Sequence, residues 1–448
     1  MKFSRIIALL CVVAMMASLV ACSGTTEAPA TVAESQAPAN TVPESNGTAD
    51  TPNAAAPGAA IRLVNGKIEI DTQLKAFAED YKARTGQEVI IESLGGGVDI
   101  SAQITNYHAS GNMPDMFVIN SNEEEKFREL FADLSNEPWV AETDAYLADA
   151  NGKVIGAPYA VEGVGLIYNA DVLAKAGIDP DTLININAQH AAFEKIDGLK
   201  AELGLQAVAA VAAESGQMYW STGSHIMSAY FSMGVERDDK TLINDFNAGI
   251  VNPERFAQFA EYVKLLFDYA DPSVLISGTY DDQLALFAQG KTAFLTQGNW
   301  IDPSLPGYNA TFDCGLLPYA FLETDTPGIT ADAPTWWAVY NGGNVEASKA
   351  FLTDITISDA GQKMFVEDAG AISAYKTCKY QPSTPVSANM FKKMQSGPTY
   401  AWDWSNMAVG IAQNTLAPLF ELYAKGTIDK TQFVDMTVTA VADFIAAQ

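Results

Sequence analysis

Histidine is nearly absent from this chain. His108, His190 and His225 are its only three, and no two of them stand at metal-ligand spacing. That argues against a histidine-based metal or catalytic centre, and each reads as a surface or capping residue. Basic residues are scarce too: 26 lysines and arginines face 54 aspartates and glutamates, for a formal net charge of −28. So acidic a surface repels nucleic acid and anionic lipid headgroups. No cluster of arginine or lysine suits a phosphate or carboxylate ligand. Beyond Cys22 the only cysteines are Cys314 and Cys378. Outside the cytoplasm they could pair, closing a loop worth ~4 kcal/mol in the entropic view, or stay free, and the sequence leaves both open. After residue 20 no stretch reaches the ~18 consecutive apolar residues of a membrane span. Neither a cofactor nor a metal is expected.

What the chain does have begins at its N-terminus. Lys2 and Arg5 precede an apolar stretch, Ile6 to Val20, too short for a comfortable span. It ends Leu19-Val20-Ala21-Cys22, the form of a lipobox, in which the Cys22 thiol takes a diacylglycerol before cleavage frees its amine. A plain secretory signal ending near a cysteine is the alternative. We expect a signal peptide over 1–21 and lipidation of Cys22 by palmitate-class chains, more than one of which anchors stably. Residues 22–60 are rich in Ala, Pro, Thr, Ser and Glu and read as a disordered tether.

The folded part starts near Ile61. Ile61 to Val64 and Val89 to Ile91 are strand-like. Between them Leu74, Phe77, Ala78 and Tyr81 recur at helical spacing, which together reads as a βαβ unit. A Gly95-Gly96-Gly97 loop follows; it lacks the Lys-Ser/Thr of a phosphate loop and reads as a flexible turn. Phe117 to Ile119 is a buried strand with Asn120 to Asn122 at its carboxyl end, where open α/β sheets bind ligands. Further strands are expected at Val164–Tyr168, Gln206–Ala213, Thr292–Thr296 and across Ala331–Tyr340. Helices are expected at Ala188–Leu203, from Trp220 to Met233, at Phe256–Tyr269 and at Glu346–Leu352.

Two stretches carry a family resemblance. One is Gly152–Ile178, with Gly-Lys, Pro-Tyr, a short loop, then Ile-Tyr-Asn-Ala-Asp and Ala-Gly-Ile. The other is Phe287–Trp300, Phe-x-x-Gly-Lys-x-Ala, four residues, then Gly-x-Trp. These resemble the extracellular solute-binding proteins of ABC importers, the maltose- and sugar-binding branch. A weaker likeness lies at Asp332–Leu352, and the whole covers about Ile61 to Gln448. The resemblance implies an α/β, two-lobed, periplasmic-binding-protein-like fold, each lobe a mostly parallel sheet flanked by helices. It implies lobe 1 from 61–162 and 318–358, lobe 2 from 163–317 and 359–448, and crossings near Glu162, Leu317 and Ser358.

It also implies a ligand cleft between the lobes. Trp300 is where relatives stack a sugar, and the physics fits: a pyranose has a face of C–H groups that lies well on an electron-rich indole. Glu214, Tyr219 and Trp220 follow a strand end that holds sugar in relatives. Asn120, Glu162, Asp332 and Trp402 fall near other cleft segments. Of Trp336 and Trp337, which face opposite ways in a strand, we expect Trp336 to look into the cleft. Each aromatic could instead fill core.

The expected activity is capture of a sugar or oligosaccharide by hinge closure and delivery to ABC permease subunits. The protein would be a monomer on the extracytoplasmic face of the membrane, touching it through lipid alone, with no nucleic-acid partner and no enzymatic step. Two alternatives stay open: a binding protein for a cation such as a polyamine, for which Glu162, Glu214 and Asp332 would suit, and a two-carboxylate carbohydrate hydrolase.

Overall fold

The computed structural model describes residues 58–448 apart from Gly96 and Gly97. The expected signal peptide, the Cys22 lipidation position, nearly all of the tether and the middle of the glycine loop lie outside the described residues. The strands of the first half are β1 (Ile61–Asn65), β2 (Val89–Ser93), β3 (Met116–Asn120), β4 (Leu147–Ala148), β5 (Val154–Pro158) and β6 (Glu162–Asn169). Those of the second half are β7 (Ala209–Ala210), β8 (Phe294–Gly298), β9 (Cys314–Leu317), β10 (Ile329–Asp332), β11 (Thr335–Val339) and β12 (Thr399–Tyr400).

They form two sheets. The first runs β2-β1-β3-β11-β5-β4; the second runs β12-β10-β6-β8-β7, with β9 also on β6. Both are mixed, not mostly parallel. β1 pairs in parallel with β2 and β3, but β11 runs antiparallel to β3 and β5. In the second sheet β6 is antiparallel to β8, β9 and β10, while β7–β8 and β10–β12 are parallel.

Strand alternation builds the layers. Leu63, Met116, Val118, Trp337 and Val339 join one core, while their neighbours Val64, Phe117, Ile119, Trp336 and Ala338 join another on the opposite face. In the second sheet Leu166 and Phe294 face one core, and Ile167 and Leu295 the other. With both faces covered, each large apolar side chain contributes about 1.5–3 kcal/mol of burial. The helix Asp71–Thr85 buries Leu74, Phe77, Ala78 and Tyr81 as its spacing predicts, and stops at Gly86, whose φ of 80° is left-handed.

Three expectations move. The stretch Gln206–Ala213 pairs as a strand only at Ala209–Ala210. The helix expected after Trp220 starts as a π-turn, Ser221–Ile226, before Ser228–Ser232. The run Ala331–Tyr340 is two strands in different sheets, β10 and β11, split at Ala333-Pro334. Proline has no N–H to donate to a ladder, so the sheet change falls there, not near Leu317. The next change also shifts. Met364, Phe365, Val366 and Tyr375 still pack on the first sheet's core, and Val386 and Met390 return to the second, so it lies beyond Ser358. Cys314 and Cys378 are both free, in different cores. Among the described residues no helix is long and apolar enough to cross a membrane.

Candidate functional site

The site grows from the end of β8, where Gln297-Gly298-Asn299-Trp300 leaves the second sheet. A Cβ at Gly298 would lie 2.0 Å from the Trp300 ring and 2.2 Å from the Gly163 carbonyl oxygen. Only glycine lets the indole fold back over its own strand. The Trp300 Nε1–H then donates to Gln297 Oε1 at 2.9 Å, and Gln297 Nε2 donates to Gln283 Oε1 at 2.7 Å. The ring plane is fixed by this part-buried hydrogen bond and the buried one behind it, as well as by packing.

Other aromatics gather on it. Trp402 lies parallel to Trp300, centroids 5.8 Å apart and planes at 1°. The His225 imidazole sits edge-on at 5.1 Å from Trp300, 5.0 Å from Trp402, 5.1 Å from Trp220 and 5.9 Å from Trp404. Such edge contacts are each worth ~0.5–1.5 kcal/mol beyond burial. Trp220 also meets Tyr280 at 6.0 Å. Three expected residues, Trp300, Trp220 and Trp402, are thus brought together. His225 corrects the surface reading: it is the hub of the cluster. Trp402 is only 3% exposed, so here it backs Trp300; a sugar could lie on it only if the two indoles part.

Lys67, just past β1 of the first sheet, reaches the same place. Its Nζ is 2.6 Å from Glu162 Oε1, 5.7 Å from the Trp300 ring and 5.9 Å from that of Tyr159. Glu162 is 3% exposed, and a buried carboxylate needs such a partner. Glu69 lines the same crevice with Tyr159, Glu162 and Trp300. Burial raises its pKa, opposed by Lys67. The Tyr280 hydroxyl is buried beside Glu69, and burial, then the Glu69 charge, hold it well above the usual phenol range. Burial and, second, the Lys67 cation push His225 down to about 3, so its imidazole is neutral.

The remaining candidates are placed less directly. Tyr219 is partly buried; burial, then Asp99 and Glu123, push it up to about 12. Glu214 spends its carboxylate on the backbone N–H groups of Gly216, Gln217 and Met218 at 2.7, 2.8 and 3.1 Å. Asp332 pairs with Arg237 at 3.1 Å. Trp336 is not a cleft residue here. It is 8% exposed, packs in the first sheet's second core and donates its Nε1–H to the Ala145 carbonyl at 2.6 Å. The alternation argument held, but helices and loops cover both faces of β11. The Asn120 N–H donates to Glu123 at 2.8 Å. Its neighbours reach the other sheet's elements: Ser121 Oγ donates to the Ser405 carbonyl at 2.7 Å and Asn122 Nδ2 to that of Met407 at 3.1 Å.

Sequence reasoning missed Lys67, Glu69, Tyr280 and His225. The position of Lys67 at a strand's carboxyl end was the one available signal. The three acids expected to serve a cation are all committed: Glu162 to Lys67, Asp332 to Arg237, and Glu214 to backbone.

The fold has counterparts. An uncharacterized ABC transporter extracellular-binding protein of Pyrococcus horikoshii is 23% identical over 324 residues, 68% of each chain. The melibiose/raffinose/stachyose-binding protein MelE of Bacillus subtilis is 24% identical over 236 residues, 51% of this chain and 52% of its own. The solved structure of a Bacillus licheniformis sugar transporter in complex with stachyose superposes with a TM-score of 0.69 at 17% identity, covering 87% of this chain and 100% of its own. The model describing bacterial extracellular solute-binding proteins matches residues 76–392. With two mixed sheets, a crevice between them and a match over most of its length, this chain belongs to the bacterial extracellular solute-binding proteins.

Proposed function

We propose that this protein captures a neutral oligosaccharide in the crevice between its two sheets and presents it to the permease subunits of an ABC importer. The observation that carries the reading is the cluster of Trp220, Trp300, Trp402 and Trp404 beside charges that are already paired. Indole faces suit the C–H face of a pyranose, and paired charges leave no net attraction for an ionic ligand. The relatives named for melibiose, raffinose and stachyose support the same class. Residues 61–332 without the β6–β10 portion, plus β11 and the helices up to about 380, make the first lobe in this reading, and the rest the second. Closure about the strands that join them would shift the population toward the form the permease engages. The protein acts as a monomer held at the outer face of the membrane by lipid on Cys22, with Trp300, Trp220 and Tyr219 as ligand contacts and Trp402 joining them once its indole parts from that of Trp300.

The test is calorimetric titration of the purified full-length chain in detergent with melibiose, raffinose, stachyose and maltotriose. Saturable binding of one series is expected, weakened at least tenfold in Trp300→Ala, about 1.4 kcal/mol. Absence of binding across the panel, or release of reducing ends on incubation, would overturn the reading.

A further inference from the structure

We infer that His225 reads the hydroxyl pattern of the sugar, its imidazole nitrogens meeting ligand O–H groups while the surrounding indoles stack. The inference rests on the saccharide reading above and deepens it. Four tryptophans at 5.0–5.9 Å hold the ring. The residue rides on the π-turn Ser221–Ile226, set by a tight approach in which a Cβ at Gly223 would lie 2.6 Å from the Ala412 carbonyl oxygen. Such turns are frequent at functional sites. The hydrogen bond found at His225 uses its backbone carbonyl, which accepts from Ser228 Oγ at 2.7 Å. Neither ring nitrogen has a protein partner among the described residues, and neither is among the fully buried unpartnered atoms, so the polar edge keeps some access to solvent beside Trp300, which lines the crevice.

Packing alone does not call for this. A phenylalanine would fill the same box, and the two nitrogens of the imidazole add nothing to that packing. A neutral imidazole offers one donor and one acceptor, the two functions of an alcohol O–H. Burial and the Lys67 cation keep it neutral. Stacking on indole senses the hydroxyls only through the shape of the C–H face they leave; a fixed donor–acceptor pair reads them one by one. His225 is therefore a group in the cluster able to separate sugars of equal size, offering an acceptor that the indole N–H donors lack.

The experiment is fluorescence and calorimetric titration of the full-length chain with raffinose and stachyose, in wild type, His225→Phe and His225→Gln. The phenylalanine keeps the aromatic box and removes the nitrogens; the glutamine keeps a donor and an acceptor and removes the ring. We expect His225→Phe to bind at least tenfold more weakly with its near-ultraviolet circular dichroism and Tm unchanged, and His225→Gln to lose less. Binding by His225→Phe within twofold of wild type overturns the inference and leaves the saccharide reading standing. If His225→Phe unfolds, His225→Gln decides, and its affinity falling as far as that of Trp300→Ala would overturn it. Wild type binding neither sugar overturns both.

Discussion

A histidine kept neutral inside aromatic packing ties stability to pH at a single residue. His225 has an ordinary pKa of 6.5 when exposed and about 3 in the fold. As pH falls below about 6.5 the unfolded chain takes up a proton that the folded chain refuses. The contribution of His225 is therefore whole above that point and is lost progressively as pH falls toward 3. The ring is partly exposed, so solvent reduces the size without changing the sign. We expect thermal unfolding of wild type between pH 7.5 and 4 to show a steeper loss of Tm than His225→Phe over the same range. Parallel curves would sink the assignment of a neutral, desolvated imidazole. This hub was not legible in the sequence because its partners Trp300, Trp402 and Trp404 are brought in by tertiary packing from distant segments. Trp300 was legible because its whole local apparatus, Gln297, Gly298 and the strand before them, is contiguous. Trp336 shows the converse: alternation fixed its face, but not what covers that face.

At the scale of elements, the segment 403–408 ties the two halves of the crevice. It is fastened to the second sheet's side by Lys240 on Asp403 at 2.8 Å, by Asn247 Nδ2 on the Asn406 carbonyl at 2.7 Å, and by the Ala408 N–H on Asn247 Oδ1 at 3.1 Å. From the first sheet, Ser121 and Asn122 donate to its carbonyls. Two neutral hydrogen bonds are worth ~0.5–1.5 kcal/mol each, enough to bias an open–closed equilibrium without locking it. Replacing both, Ser121→Ala with Asn122→Ala, should increase the ligand-free radius of gyration by small-angle scattering. It should also weaken sugar binding, since the competent state is then less populated. Identical scattering of variant and parent would show that these bonds do not hold the crevice. The pair was half legible: Asn120 to Asn122 lay at a strand's carboxyl end, but their partners around Met407 have no marking in the sequence. Likewise Ala331–Tyr340 reads as one strand although Pro334 lies inside it, and only strand pairing shows that the chain passes there from one sheet to the other.

Over the whole molecule, a formal net charge of −28 surrounds a crevice whose nearby ions are matched. Lys67 answers Glu162, Arg237 answers Asp332, and the carboxylate of Glu214 is turned inward on backbone. Glu69 remains, and burial favours its protonated form. The two parts of the molecule should therefore respond differently to salt. Screening shortens from ~10 Å at 0.1 M to ~3 Å at 1 M, which weakens any cation held by the surface field. A neutral sugar stacked on indole is not held that way, so its Kd should stay within about twofold between 50 and 500 mM sodium chloride. Spermidine would associate at low salt with the acidic exterior, lose that association as salt rises, and leave raffinose or stachyose in place throughout. Competition between spermidine and sugar that persists at high salt would mean that a cation occupies the crevice itself. The paired acids would then have to part on binding, and the ligand class would have to be redrawn around a cation, while the two-sheet framework stood unchanged.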